Sequence, residues 1–105
     1  MSTRLPGAKY KFVFDTGRVL KGRLMSAWVV RHPDAGRKAG VVVSKKSFHD
    51  AVDRNRAKRI MREAFRLSAS FIPEDSDWIL VGRSNLRGRK TVDVTSELRW
   101  MCGRL

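Results

Sequence analysis

One stretch, residues 50–67 (DAVDRNRAKRIMREAFRL), constrains this chain more than any other. Wound as a helix at about 100° per residue, it places Ala57, Ile60, Met61, Ala64 and Leu67 on one apolar stripe. Arg54, Lys58, Arg62 and Arg66 form an i, i+4 ladder expected on the opposite side, with Asn55 and Arg59 flanking it. Asp50 is the expected N-cap, and Asp53 three residues later resembles the second half of a capping box. Both carboxylates suit the positive end of the helix dipole. The ladder is costly for an isolated helix, because like charges at i, i+4 destabilise by roughly 0.2–0.5 kcal/mol per pair. Glu63 is the one acid placed to relieve it. A solvated basic face is the plain reading of any charge run. A polyanion laid along the face would instead reverse the sign of the cost.

The balance of charge favours the polyanion. The chain has 105 residues, the size of a single domain, with 23 Lys+Arg against 10 Asp+Glu and a net charge of +13. Such self-repulsion opposes a compact state unless an anionic partner neutralises it. Nucleic acid is the first candidate and an anionic membrane surface the second. The single cysteine, Cys102, excludes an internal disulfide and a cysteine-based zinc cluster. The N-terminal residues carry no apolar signal region and no run reaches transmembrane length, so a cytoplasmic protein is expected.

Along the chain, residues 1–7 are expected to be loose. Residues 8–16 read as a short helix with Gly17 at its C′ position. Tyr10 and Phe14 share a face of it, either as core or as a stacking surface for bases, with Lys9 and Lys11 beside them. Residues 18–23 include a short strand. Residues 24–31 form a clearer one, with Ser26, Trp28 and Val30 on one face and Met25, Ala27 and Val29 on the other. A turn at 32–36 leads to a strand at 38–44, and the two strands are expected to pair as an antiparallel hairpin. After the long helix and an acidic segment at 73–77 comes an apolar strand at 77–83, with Trp78 in the core. A basic loop at 84–90 and an amphipathic helix at 92–102 complete the chain, with Val94, Leu98 and Met101 inward. Helices on a small, mainly antiparallel sheet follow, an α+β arrangement. Strand 38–44, the long helix and strand 77–83 make a βαβ unit, whose crossover base rates would make right-handed.

Catalytic chemistry is poorly represented. There is no glycine-rich phosphate loop, no zinc spacing and no nucleophile motif. His32 and His49 read as surface residues and Cys102 as a small buried side chain. Asp50 and Asp53 are better used as caps than as metal ligands, and no metal ligand is assigned. Binding is better represented, by the basic helix, the neighbouring aromatics, Lys45-Lys46 and the basic loop. Arg can meet phosphates in bidentate fashion, and unpaired bases stack on aromatic rings.

The segment Val42-Val43-Ser44-Lys45-Lys46, followed by the Arg54-Asn55-Arg56 motif and its basic helix, resembles the bacterial ribonuclease P protein subunit. Lys58, Arg59, Arg62 and Arg66 continue the match. Tyr10, Phe14 and Gly17 resemble the family's aromatic first helix, and residues 77–83 its strand ending in Arg. The chain departs from the family in having Tyr10 where Phe is common, a large Trp28, and no glycine in the connector Ser47-Phe48-His49. The resemblance implies a two-layer α/β sandwich ordered αβββαβα, with a left-handed βαβ crossover, in one RNA-binding domain over residues 1–105. It implies a subunit that binds a catalytic RNA and assists removal of the 5′ leader from precursor tRNA. The RNA would supply the active site and the magnesium dependence, with no cofactor on the protein, no small-molecule substrate and no membrane. Arg54, Asn55, Arg56, Lys58, Arg59, Arg62, Arg66, Lys45 and Lys46 would engage the catalytic RNA. Tyr10, Phe14 and Trp28, with Arg54 and Asn55 at the edge, would receive the leader. The competing readings are a ribosomal or general RNA-binding protein, a DNA-binding module using the same helix, and a stand-alone nuclease.

Overall fold

The computed structural model describes residues 3–105. In chain order the elements are α1 (Tyr10–Thr16), β1 (Arg18–Lys21), β2 (Met25–Arg31), β3 (Lys38–Val42), α2 (Ala51–Leu67), β4 (Ser76–Gly82) and α3 (Thr91–Cys102). A 3₁₀ turn at Gly7–Lys9 leads into α1 and another at Ser84–Leu86 follows β4. The order αβββαβα expected above is the order found.

Strand β4 decides the sheet. Its pattern of burial is nearly continuous, with Trp78, Ile79 and Leu80 fully buried. A strand covered on both faces belongs in a sheet interior. The sheet order is accordingly β1-β2-β4-β3. β4 runs antiparallel to β2, with Trp28 opposite Ile79, and parallel to β3, with Gly40 opposite Ile79. The hairpin expected between β2 and β3 does not form, because β4 takes the place between them. The antiparallel hairpin is β1–β2 instead, with Val19 opposite Trp28. The parallel β3–α2–β4 unit is present as expected.

Residues 3–5, expected to be loose, are tied to the sheet. Ala39 N–H donates to Thr3 O at 2.7 Å and Leu5 N–H to Ala39 O at 3.0 Å. Leu5 is buried there. Gly17 closes α1, but not as a left-handed C′ residue, since its φ is −75° and its ψ 150°. Glycine is required for space, because a Cβ would collide with the Val13 carbonyl and crowd the Val29 backbone.

The larger core lies between one sheet face and the pair α2 and α3, joining Met25, Ala27, Val29, Trp78 and Leu80 to Met61, Phe65 and Leu98. A smaller core lies on the other face under α1, built from Leu5, Val13, Val30 and Ile79. In α2 the buried side chains are Ala57, Ile60, Met61, Ala64 and Phe65, whereas Leu67, expected on the stripe, is 55% exposed. At about 100° per residue the buried set spans an arc of about 140° from Ile60 to Phe65, and Leu67 falls about 20° beyond it. Asp50 occupies the N-cap position with extended backbone, but its side chain makes no capping bond. The expected capping box is therefore absent, and the Asp50 carbonyl begins the helix by accepting from Arg54 N–H. The Asp93 carboxylate does reach back at α3, accepting from Lys90 N–H at 2.9 Å.

One buried acid holds the turn into β3. Asp77 is 1% exposed, and its Oδ1 accepts from the N–H groups of Gly36 and Lys38, each at 3.2 Å. Arg37 between them sits at φ 52°, in the left-handed region, and its guanidinium donates to the Ile72 carbonyl. Removing the carboxylate leaves part-buried N–H groups without a partner. Asp77→Ala should therefore lower stability by about 2–3 kcal/mol in urea unfolding, with Asp77→Asn losing less because it keeps an acceptor. The exposed neighbour Asp34→Ala should stay within about 0.5 kcal/mol of the parent. Equal midpoints for Asp77→Ala and Asp34→Ala would contradict this role for the carboxylate.

Candidate nucleic-acid interface

The basic residues of α2 do not all sit opposite the apolar stripe. Each i+4 step advances about 40° around the axis, so the row from Arg54 to Arg66 climbs out of the interface as it runs. Arg54 starts within the azimuth of the buried arc. It is half-buried, and its Nη1 donates to the carbonyls of Phe48 at 2.9 Å and His49 at 2.8 Å. Lys58 and Arg62 are half-buried, and Arg66 is exposed. Arg62 faces the first helix, lining a cavity with Arg4, Leu5, Gly7, Tyr10 and Gly40. On the other flank Arg56 donates through Nη2 to the Arg89 carbonyl at 3.1 Å, and Arg59 shares a depression with Glu63 and Lys90. Asn55 is exposed, as are Lys45 and Lys46.

These cations are little compensated by acids. Among the described residues the one ion pair on the helix is Arg66 with Glu63 at 3.8 Å, between exposed side chains, where it contributes little. Arg54 and Arg56 bond to backbone carbonyls, which leaves their charge in place. Other acids serve the fold. Glu97 accepts from the N–H groups of Arg23, Leu24 and Met25. Asp15, Glu74 and Asp75 pair with Lys11, Arg37 and Arg31.

The connector into α2 holds its course without glycine. Phe48 is 1% exposed and anchors it, with the Arg87 guanidinium 5.2 Å from the ring centroid and donating to the Ser47 carbonyl. Among the described residues the left-handed region is used by Arg37 and Gly88, neither in this connector.

The aromatic residues gather on the sheet face that α1 only partly covers. Phe14, 38% exposed, meets Trp28 edge-on at 5.1 Å. Tyr10 is half-buried and lies so close over Gly40 that a Cβ there would collide with its hydroxyl. Val19, on the strand next to Trp28, is also exposed. The structure thus joins Tyr10, Phe14 and Trp28 on one face, and brings Arg62 beside Tyr10. Arg54 is turned to the connector on α2. Phe12, overlooked in the sequence, is 49% exposed and meets His32 edge-on at 5.9 Å. Its place on a second face of α1 gave it no partner in the i, i+4 pattern.

Among the described residues no group of three or more His, Cys, Asp and Glu is placed to hold a metal ion. His32 is less exposed than expected and lies 3.8 Å from Asp77. Burial pushes the Cys102 thiol up, which favours the neutral form and suppresses its nucleophilicity. No described helix is long and apolar enough to cross a membrane.

Fold and face together define the class, a small α+β protein of the kind seen in solved ribonuclease P proteins. That of Thermotoga maritima superposes with a TM-score of 0.82 at 24% identity, covering 97% of this chain and 96% of the other. That of Staphylococcus aureus gives 0.80 at 24% identity, covering 99% and 95%. A "Ribonuclease P protein component" from Alkaliphilus metalliredigens (strain QYMF) is 28% identical over 89 residues, 85% of this chain and 79% of that protein. One from Xanthomonas euvesicatoria pv. vesicatoria (strain 85-10) is 40% identical over 80 residues, 73% of this chain and 52% of that protein. The sequence pattern of the Ribonuclease P family matches residues 5–105. The chain belongs to that family, as a protein component of the tRNA-processing ribonuclease P that is not itself catalytic.

The fit of Tyr10 over Gly40 is open to a direct check. Gly40→Ala should destabilise by about 1–3 kcal/mol through overpacking. The same change in a Tyr10→Ala background should cost at least about 0.5 kcal/mol less. Strict additivity in the double-mutant cycle would mean that α1 is not seated on β3 by this contact.

Proposed function

We propose that this chain binds the catalytic RNA of ribonuclease P through α2 and the connector before it, and receives the 5′ leader of precursor tRNA on the aromatic face beside α1. The observation that carries the proposal is a cationic helix face with almost no acid against it, adjoining aromatic rings that are only partly buried. Arg59, Arg62, Arg66, Lys45 and Lys46 supply charge toward phosphates. Lys58 and Asn55 extend the same surface. Arg54 and Arg56 act partly by holding the connector and the basic loop in register, and keep donors for RNA. Phe14 and Trp28 offer ring edges and faces to unpaired bases, with Tyr10 closing the floor.

The work is electrostatic and positional. Neutralising phosphates lets RNA segments approach one another, and gripping the leader favours precursor over mature tRNA. Bond cleavage and its magnesium belong to the RNA, since the described acids of this chain are mostly engaged with its own backbone and cations. The holoenzyme would act in the cytoplasm.

Neutralising about 5–7 phosphates predicts a log–log salt slope of roughly −4 to −6 for binding the catalytic RNA, with Arg59→Ala and Arg62→Ala each reducing it by about 1. A filter-binding series across salt measures this, and an affinity insensitive to salt would defeat the reading. Stacking is worth about 1–3 kcal/mol per base, so Phe14→Ala should weaken precursor tRNA binding by the reconstituted enzyme roughly tenfold while sparing mature tRNA. Equal losses for the two tRNAs would remove the leader from this face.

A further inference from the structure

One concavity lies away from the aromatic face. It opens between the β1–β2 turn, the loop before α3 and the outer side of α3, with a volume of about 650 Å³. Lys21 and Arg23 stand on the turn, Arg89 on the loop, and Trp100 on α3. Trp100 is 47% exposed, with the Arg104 guanidinium 4.7 Å from its ring centroid. No packing requirement explains this indole, because Val94, Leu98 and Met101 already bury the inward face of α3.

The acids that line the cavity, Asp93 and Glu97, keep their charge but are held against the backbone. Both carboxylate oxygens of Glu97 accept backbone N–H groups of the turn, and Asp93 accepts from Lys90 N–H. The lining cations divide differently. Arg83 donates to the Gly22 carbonyl and so belongs to the wall. Among the described residues the side chains of Lys21, Arg23 and Arg89 make no hydrogen bond or ion pair. The cavity therefore presents cations beside an exposed indole that already carries a guanidinium on its ring. That is the arrangement that holds an unpaired nucleotide, with the base on the indole and the phosphate on the cations.

Continuity points to the same polymer. The Arg89 carbonyl is bonded by Arg56 of α2, and the next residue, Lys90, shares a depression with Arg56 and Arg59. A strand following the basic face of α2 would pass over Lys90 and Arg89 into the cavity. We infer that this cavity is a second RNA contact, taking one unpaired nucleotide stacked on Trp100 with its phosphate between Arg23 and Arg89. The inference goes beyond the function proposed above and rests on it for the identity of the polymer. An acidic peptide could meet the cations, but it would leave the indole without a role.

The test uses the full chain labelled with ¹⁵N and a short oligoadenylate RNA as probe. The indole N–H of Trp78, buried and donated to Ser76 Oγ, reports whether each variant remains folded. The Trp100 indole signal should move on titration. Trp100→Ala should weaken oligoadenylate binding about tenfold and Trp100→Phe much less. Arg23→Ala with Arg89→Ala should lower the salt slope by about 1–2. The same pair should weaken binding of a bacterial ribonuclease P RNA, independently of Arg59→Ala with Arg62→Ala. A Trp100 signal unmoved by oligoadenylate overturns the inference, and an RNA loss confined to the Arg59 and Arg62 pair leaves the proposed function standing without it. A shift produced by oligoglutamate and not by RNA overturns it in favour of an acidic peptide. Loss of affinity for the ribonuclease P RNA with neither pair overturns the proposed function, while the oligoadenylate arm still decides the cavity.

Discussion

The burial of β4 on both faces is the constraint from which the remaining architecture follows. Trp78 and Leu80 point into the core beneath α2 and α3, and Ile79 points into the smaller one beneath α1. A strand with two dry faces needs a neighbour on each side to satisfy its backbone. That requirement draws β2 to one edge and β3 to the other, and forces α2 to cross over between β3 and β4. Trp78 also fixes where α2 lies, since Phe65 meets its ring edge-on at 6.0 Å. The indole N–H is not left as a buried orphan. It donates to Ser76 Oγ, which donates in turn to the Pro73 carbonyl. With the inward azimuth of α2 set by Phe65, the outward azimuth of its arginines is set as well.

A second consequence concerns charge. The turns of this small fold contain backbone N–H groups that no strand partner reaches, and acids are used to satisfy them. Glu97 holds the β1–β2 turn, Asp77 the entry to β3, and Asp93 the start of α3. Each such acid is withdrawn from pairing with Lys or Arg. The surplus of +13 is therefore not an average spread over mutually paired side chains. It is concentrated where acids were not needed for the fold, which is the outer arc of α2 and the loops beside it. Desolvation costs little for charges that stay exposed, so the protein tolerates the surplus at the expense of long-range repulsion.

Much of this was legible in the residues. The 3.6-residue period of α2 and α3, the apolar run of β4 and the order of elements all follow from local pattern. What failed was pairing. The turn between β2 and β3 looks like a hairpin because sequence shows only neighbours, and the strand that separates them arrives more than thirty residues later. Leu67 and Phe65 exchanged roles because an arc only slightly misplaced moves a terminal residue across its edge. Asp50 could be placed at the helix start from its type, but whether its carboxylate turns inward depends on tertiary surroundings. At the site, the exposed positions of Asn55, Arg59, Arg66, Lys45 and Lys46 were readable from charge and period. The engagement of Arg54 with the connector was not, because the carbonyls of Phe48 and His49 become acceptors only once Phe48 is buried. Family resemblance supplied the partner, which no periodicity could.

The open aromatic face has a geometric origin. Seven residues of α1 make a rod of about 10 Å, while four strands spaced about 4.8 Å apart present a sheet roughly 14 Å across before side chains are added. One short helix packed on β2 and β4 cannot shelter the outer strand. Val19 and part of Trp28 are left uncovered on that side. A longer helix would bury them and add hydrophobic stabilisation, but it would also close the face. The chain turns out of α1 at Gly17, where a Cβ would collide with the Val13 carbonyl and crowd the Val29 backbone. The turn at Gly17 ends α1 after seven residues, and Phe14 and Trp28 stay partly exposed on the face beside it.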